Sequence, residues 1–199
     1  MSIRSRAELR DWMKQDLEQY RKNGEFPRAR WHWWDTWQFP IIGWQRTLRR
    51  AEYVTNTRTG KLWLPYVLLW KAFFLRRSIR LNLEIPLHVF GPGLTVPHFA
   101  NIVVNPSARV GANCRIHPGA LIGESKDKCP VIGDDAYIGN GAIVIGGISV
   151  GNRVKIGPHA LVRESVGDDE TMVGNMGKKL IRPPKENGRV PMHVRDHVR

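Results

Sequence analysis

The sequence predicts a mainly β chain: a solenoid of stacked six-residue units preceded by an α-helical N-terminal region. Three observations predict it. Aliphatic residues recur with a period of six through the second half of the chain, all eight Trp precede residue 71, and the excess basic charge lies outside the repeat. An amphipathic helix needs spacings of three and four and an alternating strand needs two, so neither accounts for six. A hexapeptide that forms one short strand and a turn does, because stacked neighbours bury one continuous core.

Residues 1–84 read as a basic, Trp-rich helical region. Ser5-Arg6-Ala7-Glu8 is a capping box, and Leu9, Met13, Leu17 and Tyr20 follow at helical spacing, so a helix is expected from Arg6 to about Lys22. The stretch FPRARWHWWDTWQFP has no clear period and is expected to be irregular. A second helix is expected to start near Gln45 with Arg46, Arg49 and Arg50 as a basic face. The third, LWLPYVLLWKAFFLRRSIRL over residues 62–81, is apolar, interrupted by Lys71, and ends in Arg76, Arg77 and Arg80. It either packs on the solenoid or another subunit, or lies in a membrane interface with its arginines on lipid phosphates. Trp with Arg fits both readings, since the same residues make good protein interfaces.

Residues 85–177 carry the repeat. Ile132, Ile138, Val144, Val150, Ile156 and Val162 are spaced by six, and Ala136, Ala142, Ile148, Val154, Ala160 and Val166 follow each by four. Both sets are expected to point inward. Upstream the same signal runs through Val104, Val110, Ile116 and Ile122, and the frame extends back through His98 with Ile102. The excess residues between Ile122 and Ile132, within GESKDKCPV, are expected to bulge out as a loop. Residues 178–199 form a basic tail without periodicity, with Pro183, Pro184 and Pro191, expected to be extended.

The 199-residue chain has 31 Lys+Arg against 18 Asp+Glu, a net charge of +13. Residues 1–90 hold 17 basic and 8 acidic side chains, whereas residues 91–177 hold 7 and 8. Such a field favours anionic partners without choosing among them. No zinc-finger spacing or basic region feeding heptads accompanies the charge, so nucleic acid is not expected as a partner. Cys114 and Cys129 make neither a disulfide framework nor a zinc cluster. The charged N-terminus lacks the apolar stretch of a signal peptide, and no apolar run approaches the roughly 20 residues of a membrane span, so a cytoplasmic location is expected.

The run VPHFANIVVNPSARVGANCRIHPGALIG, followed by the loop ending KCPVIGDDAYIGNGAIVIGG, resembles the hexapeptide-repeat acyltransferases. It is most similar to their serine-acetyltransferase-like branch, and within that to members of capsule and exopolysaccharide pathways. The resemblance implies a left-handed parallel β-helix with three hexads per triangular coil, about four coils here. It implies a homotrimer with acetyl-CoA in the groove between subunits and no metal, and it leaves room for a higher assembly through the N-terminal helices. The activity implied is O-acetyl transfer to a hydroxyl of a surface polysaccharide or its sugar precursor, at the cytoplasmic face of a membrane. Serine O-acetylation, a zinc hydratase on the same solenoid and a non-catalytic scaffold that keeps the β-helix are the alternatives.

Acyl transfer from a thioester to a hydroxyl needs a base for the hydroxyl proton and donors for the oxyanion. Imidazole suits the first task because it titrates near neutrality. The family's base matches His98, and because a polar group at an inward hexad position is costly, His98 is expected at the open first turn, facing a cleft. His117 follows the inward Ile116, should face outward, and by the family geometry would neighbour His98 one coil on. True serine acetyltransferases have an acidic residue before this base and a second histidine at the end of the loop, where this chain has Pro97 and Cys129. Cys129, with Lys128, would line the acceptor site or pack the loop. For the coenzyme, the resemblance points to Gly123, Glu124, Asn140, Gly141, Lys155, Gly157 and Pro158. Lys178 closes a segment that replaces the family's terminal motif.

Overall fold

The computed structural model describes residues 2–99 and 101–174. Helix α1 spans Arg6–Lys22. The Ser5 hydroxyl accepts from the Glu8 backbone N–H (3.1 Å) while the Glu8 carboxylate accepts from that of Ser5 (3.2 Å), so two otherwise unpaired donors are satisfied reciprocally. The aromatic stretch expected to be irregular contains one short helix, α2, Asp35–Gln38. Buried Asp35 holds it by accepting from the His32 N–H (2.8 Å) and from the Arg28 guanidinium. Helix α3 runs Pro40–Thr57 and so begins five residues before Gln45. Proline suits a first helical position, where its missing N–H would be unpaired anyway, and the early start buries Ile41, Ile42 and Trp44. Helix α4, Leu64–Leu81, follows a short 3₁₀ turn at Lys61–Trp63 and ends on Asn82 in the left-handed conformation (φ 54°).

The inward hexad positions are buried as the period requires: Val110, Ile116, Ile122, Ile138, Val144, Ile156 and Val162 are at most 1% exposed. The strands are parallel and stack on three faces. The first face holds Leu83–Glu84, Ile102–Val104, Leu121–Gly123, Ile143–Ile145 and Leu161–Val162. The second stacks Arg109–Val110, Val131–Ile132 and Ser149–Val150, with Phe90 and Val166 bridging at its ends. The third stacks Arg115–Ile116, Tyr137–Ile138, Lys155–Ile156 and Thr171–Met172, with Thr95 bridging to Arg115. This makes about five layers rather than four. The additional coil is built from Leu83, Phe90 and Thr95, which pair with Ile102, Val110 and Arg115; Phe90 and Val96 keep the six-residue step, but Leu83 stands seven before Phe90 and Val104 eight after Val96, so the coil does not extend the repeat.

His98 lies outside the hexad frame but is exposed, as the cost of burying an imidazole leads one to expect. Val96 and Val104 are eight residues apart in the chain, two more than a hexad. The inward positions go to Val96 and Ile102, both fully buried, and His98 lies exposed at the corner between the third and first faces. The physical reason is that an apolar interior offers an imidazole no hydrogen-bond partner, so burying it there costs free energy that a valine does not. At the corner after the second face, Gly111, Gly133 and Gly151 stack directly. A Cβ on Gly133 would lie 2.8 Å from the Gly151 carbonyl oxygen, so the coil spacing excludes any side chain there. Beside them Asp134 accepts from the Ala112 N–H (2.6 Å), Asn152 from that of Asp134 (2.9 Å) and Asp168 from that of Asn152 (2.8 Å), linking coil to coil.

The helices close the first coil. Ile41, Trp44 and Leu48 belong to the same buried cluster as the solenoid interior. The Arg49 side chain is fully buried, not part of a basic face. It donates to Asp16 (2.9 Å), Glu52 (3.1 Å) and the backbone carbonyls of Phe90 (3.0 Å) and Gly91 (2.6 Å). Asp16 also accepts from the Gly93 N–H (2.7 Å), and Glu52 from the His88 N–H (2.8 Å), so both carboxylates reach solenoid backbone. Removing one partner of such a cluster leaves charges buried and uncompensated. Arg49→Ala is therefore expected to cost about 3–5 kcal/mol, read as a lower denaturant midpoint in equilibrium unfolding.

Candidate active site

The corner where the third face turns into the first gathers chemistry from several coils. The Ile116 N–H donates to the Thr95 carbonyl (3.0 Å), which sets the first two rungs in register and places the turns holding His98 and His117 one above the other. Their ring centroids lie 6.4 Å apart, and the His117 ring is 4.9 Å from that of Tyr137 on the next rung. The expectation that the two histidines neighbour each other on one outer surface is met geometrically. Among the described residues no hydrogen bond holds the His98 ring.

His117 is held from below. Arg115 Nε donates to its Nε2 (3.3 Å) and Arg115 Nη2 to Glu25 Oε1 (2.5 Å). A guanidinium is donor only, so this bond assigns His117 the neutral tautomer with its proton on Nδ1. Its pKa is lowered by burial first, then by the charges of Arg115 and His98, with Glu25 opposing. Glu25 Oε2 and Arg115 Nη1 are buried and without hydrogen-bond partners among the described residues.

Glu25 is not a solenoid residue; it lies in the loop after α1, a participant that the sequence reading missed. Gln19 of α1 donates to Asn113 (2.7 Å), and the Tyr20 hydroxyl donates to Gln45 (2.8 Å) and accepts from the Val96 N–H (2.9 Å). These contacts pin the end of α1 on the first coils, and the Glu25 N–H then closes on the Tyr20 carbonyl (2.8 Å). Capping and periodicity predict the helix but cannot show what its last turn docks against.

Most of the remaining predicted residues fall at or beside two corners. Asn140, Gly141, Gly157 and Pro158 continue along the histidine corner in later coils. There a Cβ on Gly141 (φ 65°) would come within 2.5 Å of His159 Nδ1, so the His159 ring occupies the space beside it. Lys155 is exposed on the third face, paired in register with Tyr137 and Thr171. Gly123, Glu124, Lys128 and Cys129 lie at the other corner, where the first face turns into the second. Ser125 and Lys128 bridge across Lys126 and Asp127, both left-handed, so the residues beyond the hexad form a tight turn. Glu124 accepts from Asn105 (3.2 Å), and the Lys128 chain lies over Gly147. Cys129 packs against the core, its thiol pKa raised by burial and then by Glu124, which disfavours the thiolate a nucleophile needs. One chain therefore does not bring Cys129 and Lys128 to the histidine pair. Lys178 lies outside the described residues. Among the described residues no three His, Cys, Asp or Glu side chains are grouped to hold a metal ion.

Residues 129–164 match the family model of the bacterial transferase hexapeptide with six repeats. Over 130 residues the chain is 32% identical to a serine acetyltransferase of Bacillus pumilus, covering 60% of this chain and 60% of that protein. It is 30% identical over 123 residues to a serine acetyltransferase of Helicobacter pylori, covering 56% of this chain and 72% of that one. The fold matches a solved serine acetyltransferase in complex with CoA at a TM-score of 0.64 and 22% identity, over 85% of this chain and 68% of that one. The chain belongs to the bacterial hexapeptide-repeat transferases, and its solenoid is the left-handed β-helix of that fold. It spans about 60% of the length of the first of these relatives.

The bond from Arg115 makes a measurable demand on His117. Its ring is expected to titrate below the ordinary 6.5, and Arg115→Gln is expected to move the titration upward by removing a neighbouring positive charge while leaving the Glu25 carboxylate. Ring-proton chemical shifts followed against pH check both.

Proposed function

We propose that this protein is an acetyl-CoA-dependent O-acetyltransferase that transfers directly to an acceptor hydroxyl. The observation that carries the reading is an exposed His98, free of protein hydrogen bonds among the described residues, 6.4 Å from a His117 ring whose Nε2 is occupied by Arg115. An unencumbered imidazole can take the hydroxyl proton. The basic Nε2 of His117 is engaged by the cationic Arg115 donor, which disfavours its protonation, while the Nδ1–H is left to donate to developing negative charge. In this division of labour His98 is the general base and His117 a donor to the acceptor or oxyanion.

The fold's solved example with CoA supports the coenzyme. Asn140, Gly141, Gly157 and Pro158 run along the corner that begins at the histidines, and Lys155 stands on the adjoining face as a point charge for a phosphate. A homotrimer would set the histidine corner of one subunit against the corner of a neighbour that carries Gly123, Glu124, Lys128 and Cys129, completing a site that one chain leaves in two halves.

For the acceptor, the named relatives favour L-serine. The second reading, a sugar hydroxyl of a surface polysaccharide or its lipid-linked precursor met at a membrane face, rests on Pro97 and Cys129, which stand where the serine enzymes' acidic residue and second histidine are expected. Purified protein incubated with acetyl-CoA and either L-serine or an acidic oligosaccharide, with release of free CoA thiol as the readout, separates the two. His98→Ala is expected to lower the rate by about 10²–10⁴-fold with the true acceptor. A wild-type rate in that variant defeats the assignment.

A further inference from the structure

A cavity of about 780 Å³ between α2, α3 and α4 is lined by Arg46, Arg50, Arg76, Arg77 and Arg80 and by no carboxylate. Its other wall is aromatic, including Trp33 and Trp37, which are 74% and 83% exposed. None of the five arginines forms an ion pair among the described residues. The nearby carboxylates are engaged elsewhere: Asp16 and Glu52 by Arg49, Asp35 by Arg28, and Glu25 by Arg115. Burial and the charge of Arg50 push the Arg46 pKa down to about 10. The cluster thus carries a repulsion that a bound anion would relieve.

Beside this cavity α4 presents an apolar stripe to solvent. Leu64, Leu68, Leu75 and Ile79 are 53–71% exposed, and their spacings of four, seven and four place them on one helical face. Arg76 and Arg80 directly follow Leu75 and Ile79, so cations and aliphatic surface share a rim. No described helix is long and apolar enough to cross a membrane.

The geometry points to a peripheral docking surface for an anionic lipid leaflet, with lipid phosphates in the arginine cavity and the α4 stripe and exposed indoles at the headgroup–acyl boundary. A small soluble anion would neutralise the arginines but leave the leucines in water. A second copy paired symmetrically would lay the same arginine-lined face against itself. Only a surface that is anionic outside and apolar beneath answers both halves of the patch. The inference names the seat of the membrane contact mentioned above, and its test does not depend on acetyl transfer or on which acceptor is correct.

The full chain is mixed with phosphatidylcholine vesicles with and without phosphatidylglycerol, and binding is read by co-sedimentation and by Trp emission. Binding with a blue shift is expected on the anionic vesicles only, weakening as salt rises. Arg76→Gln with Arg80→Gln is expected to lower the affinity about 25-fold, about fivefold for each charge, and Leu68→Ser with Leu75→Ser to weaken it with the charges intact. All four side chains are exposed, and circular dichroism verifies that the variants fold. The proposal falls if anionic vesicles do not bind, if either variant binds as the wild type does, or if inorganic phosphate alone reproduces the emission shift. It also falls if the substitutions reduce the particle mass by light scattering while vesicle binding is absent, since the face is then an interface between copies.

Discussion

Each inward side chain of the solenoid must sit on the one a coil below, in a prism only one strand wide on each face. Ile116 lies on Ile138 and Ile138 on Ile156, while the backbone N–H of one coil donates to the carbonyl of the next, as from Arg115 to Ala136 (2.9 Å) and from Tyr137 to Val154 (2.9 Å). This stacking leaves no room inside for a polar group that lacks a partner. Everything capable of chemistry is displaced to the corners, where turns leave the strands. The same spacing makes glycine obligatory where backbones meet, as at Gly111 over Gly133, and turns the corners into continuous edges along which residues from successive coils line up.

The corner with His98 and His117 gains its polarity from outside the repeat. Buried Arg49 ties α1 and α3 to the first coil through Asp16 and Glu52 and through the Phe90 and Gly91 carbonyls. With α1 so held, Glu25 reaches Arg115, and Arg115 reaches His117. A chain of charge-assisted contacts therefore runs from the helical region into the site and decides which nitrogen of His117 carries the proton. The helical region is part of the site's electrostatics as well as a cap on the open end of the core. The arginine cavity and the bare stripe of α4 belong to the same helical region, and no arginine lining that cavity forms an ion pair with this network among the described residues.

Much of this architecture is legible in the amino-acid sequence. A period of six can be satisfied by one kind of structure, so the solenoid, its inward positions from Val104 onward, of which Ile148 is only partly buried, and a loop between Ile122 and Ile132 follow from spacing alone. A capping box with helical spacing likewise predicts a helix from about Arg6 to Lys22, and α1 spans Arg6–Lys22. These are local or strictly repeating signals, and each residue's environment is a copy of its neighbour's. The first coil was not legible because only Phe90 and Val96 keep the six-residue step, while Leu83 stands seven before Phe90 and Val104 eight after Val96; their environment comes from pairing with the coil above, and the two extra residues before Val104 take His98 out of the hexad frame. Arg49 read as part of a basic face because composition registers charge but not the carboxylates that converge on it from α1 and from its own helix. Sequence by itself thus determined the prism and named the histidines at its edge. Only the tertiary structure decided that Glu25 and Arg115 orient His117, and that Cys129 and Lys128 stand at a different corner, because those relations join residues far apart in the chain, and spacing carries no information about such contacts.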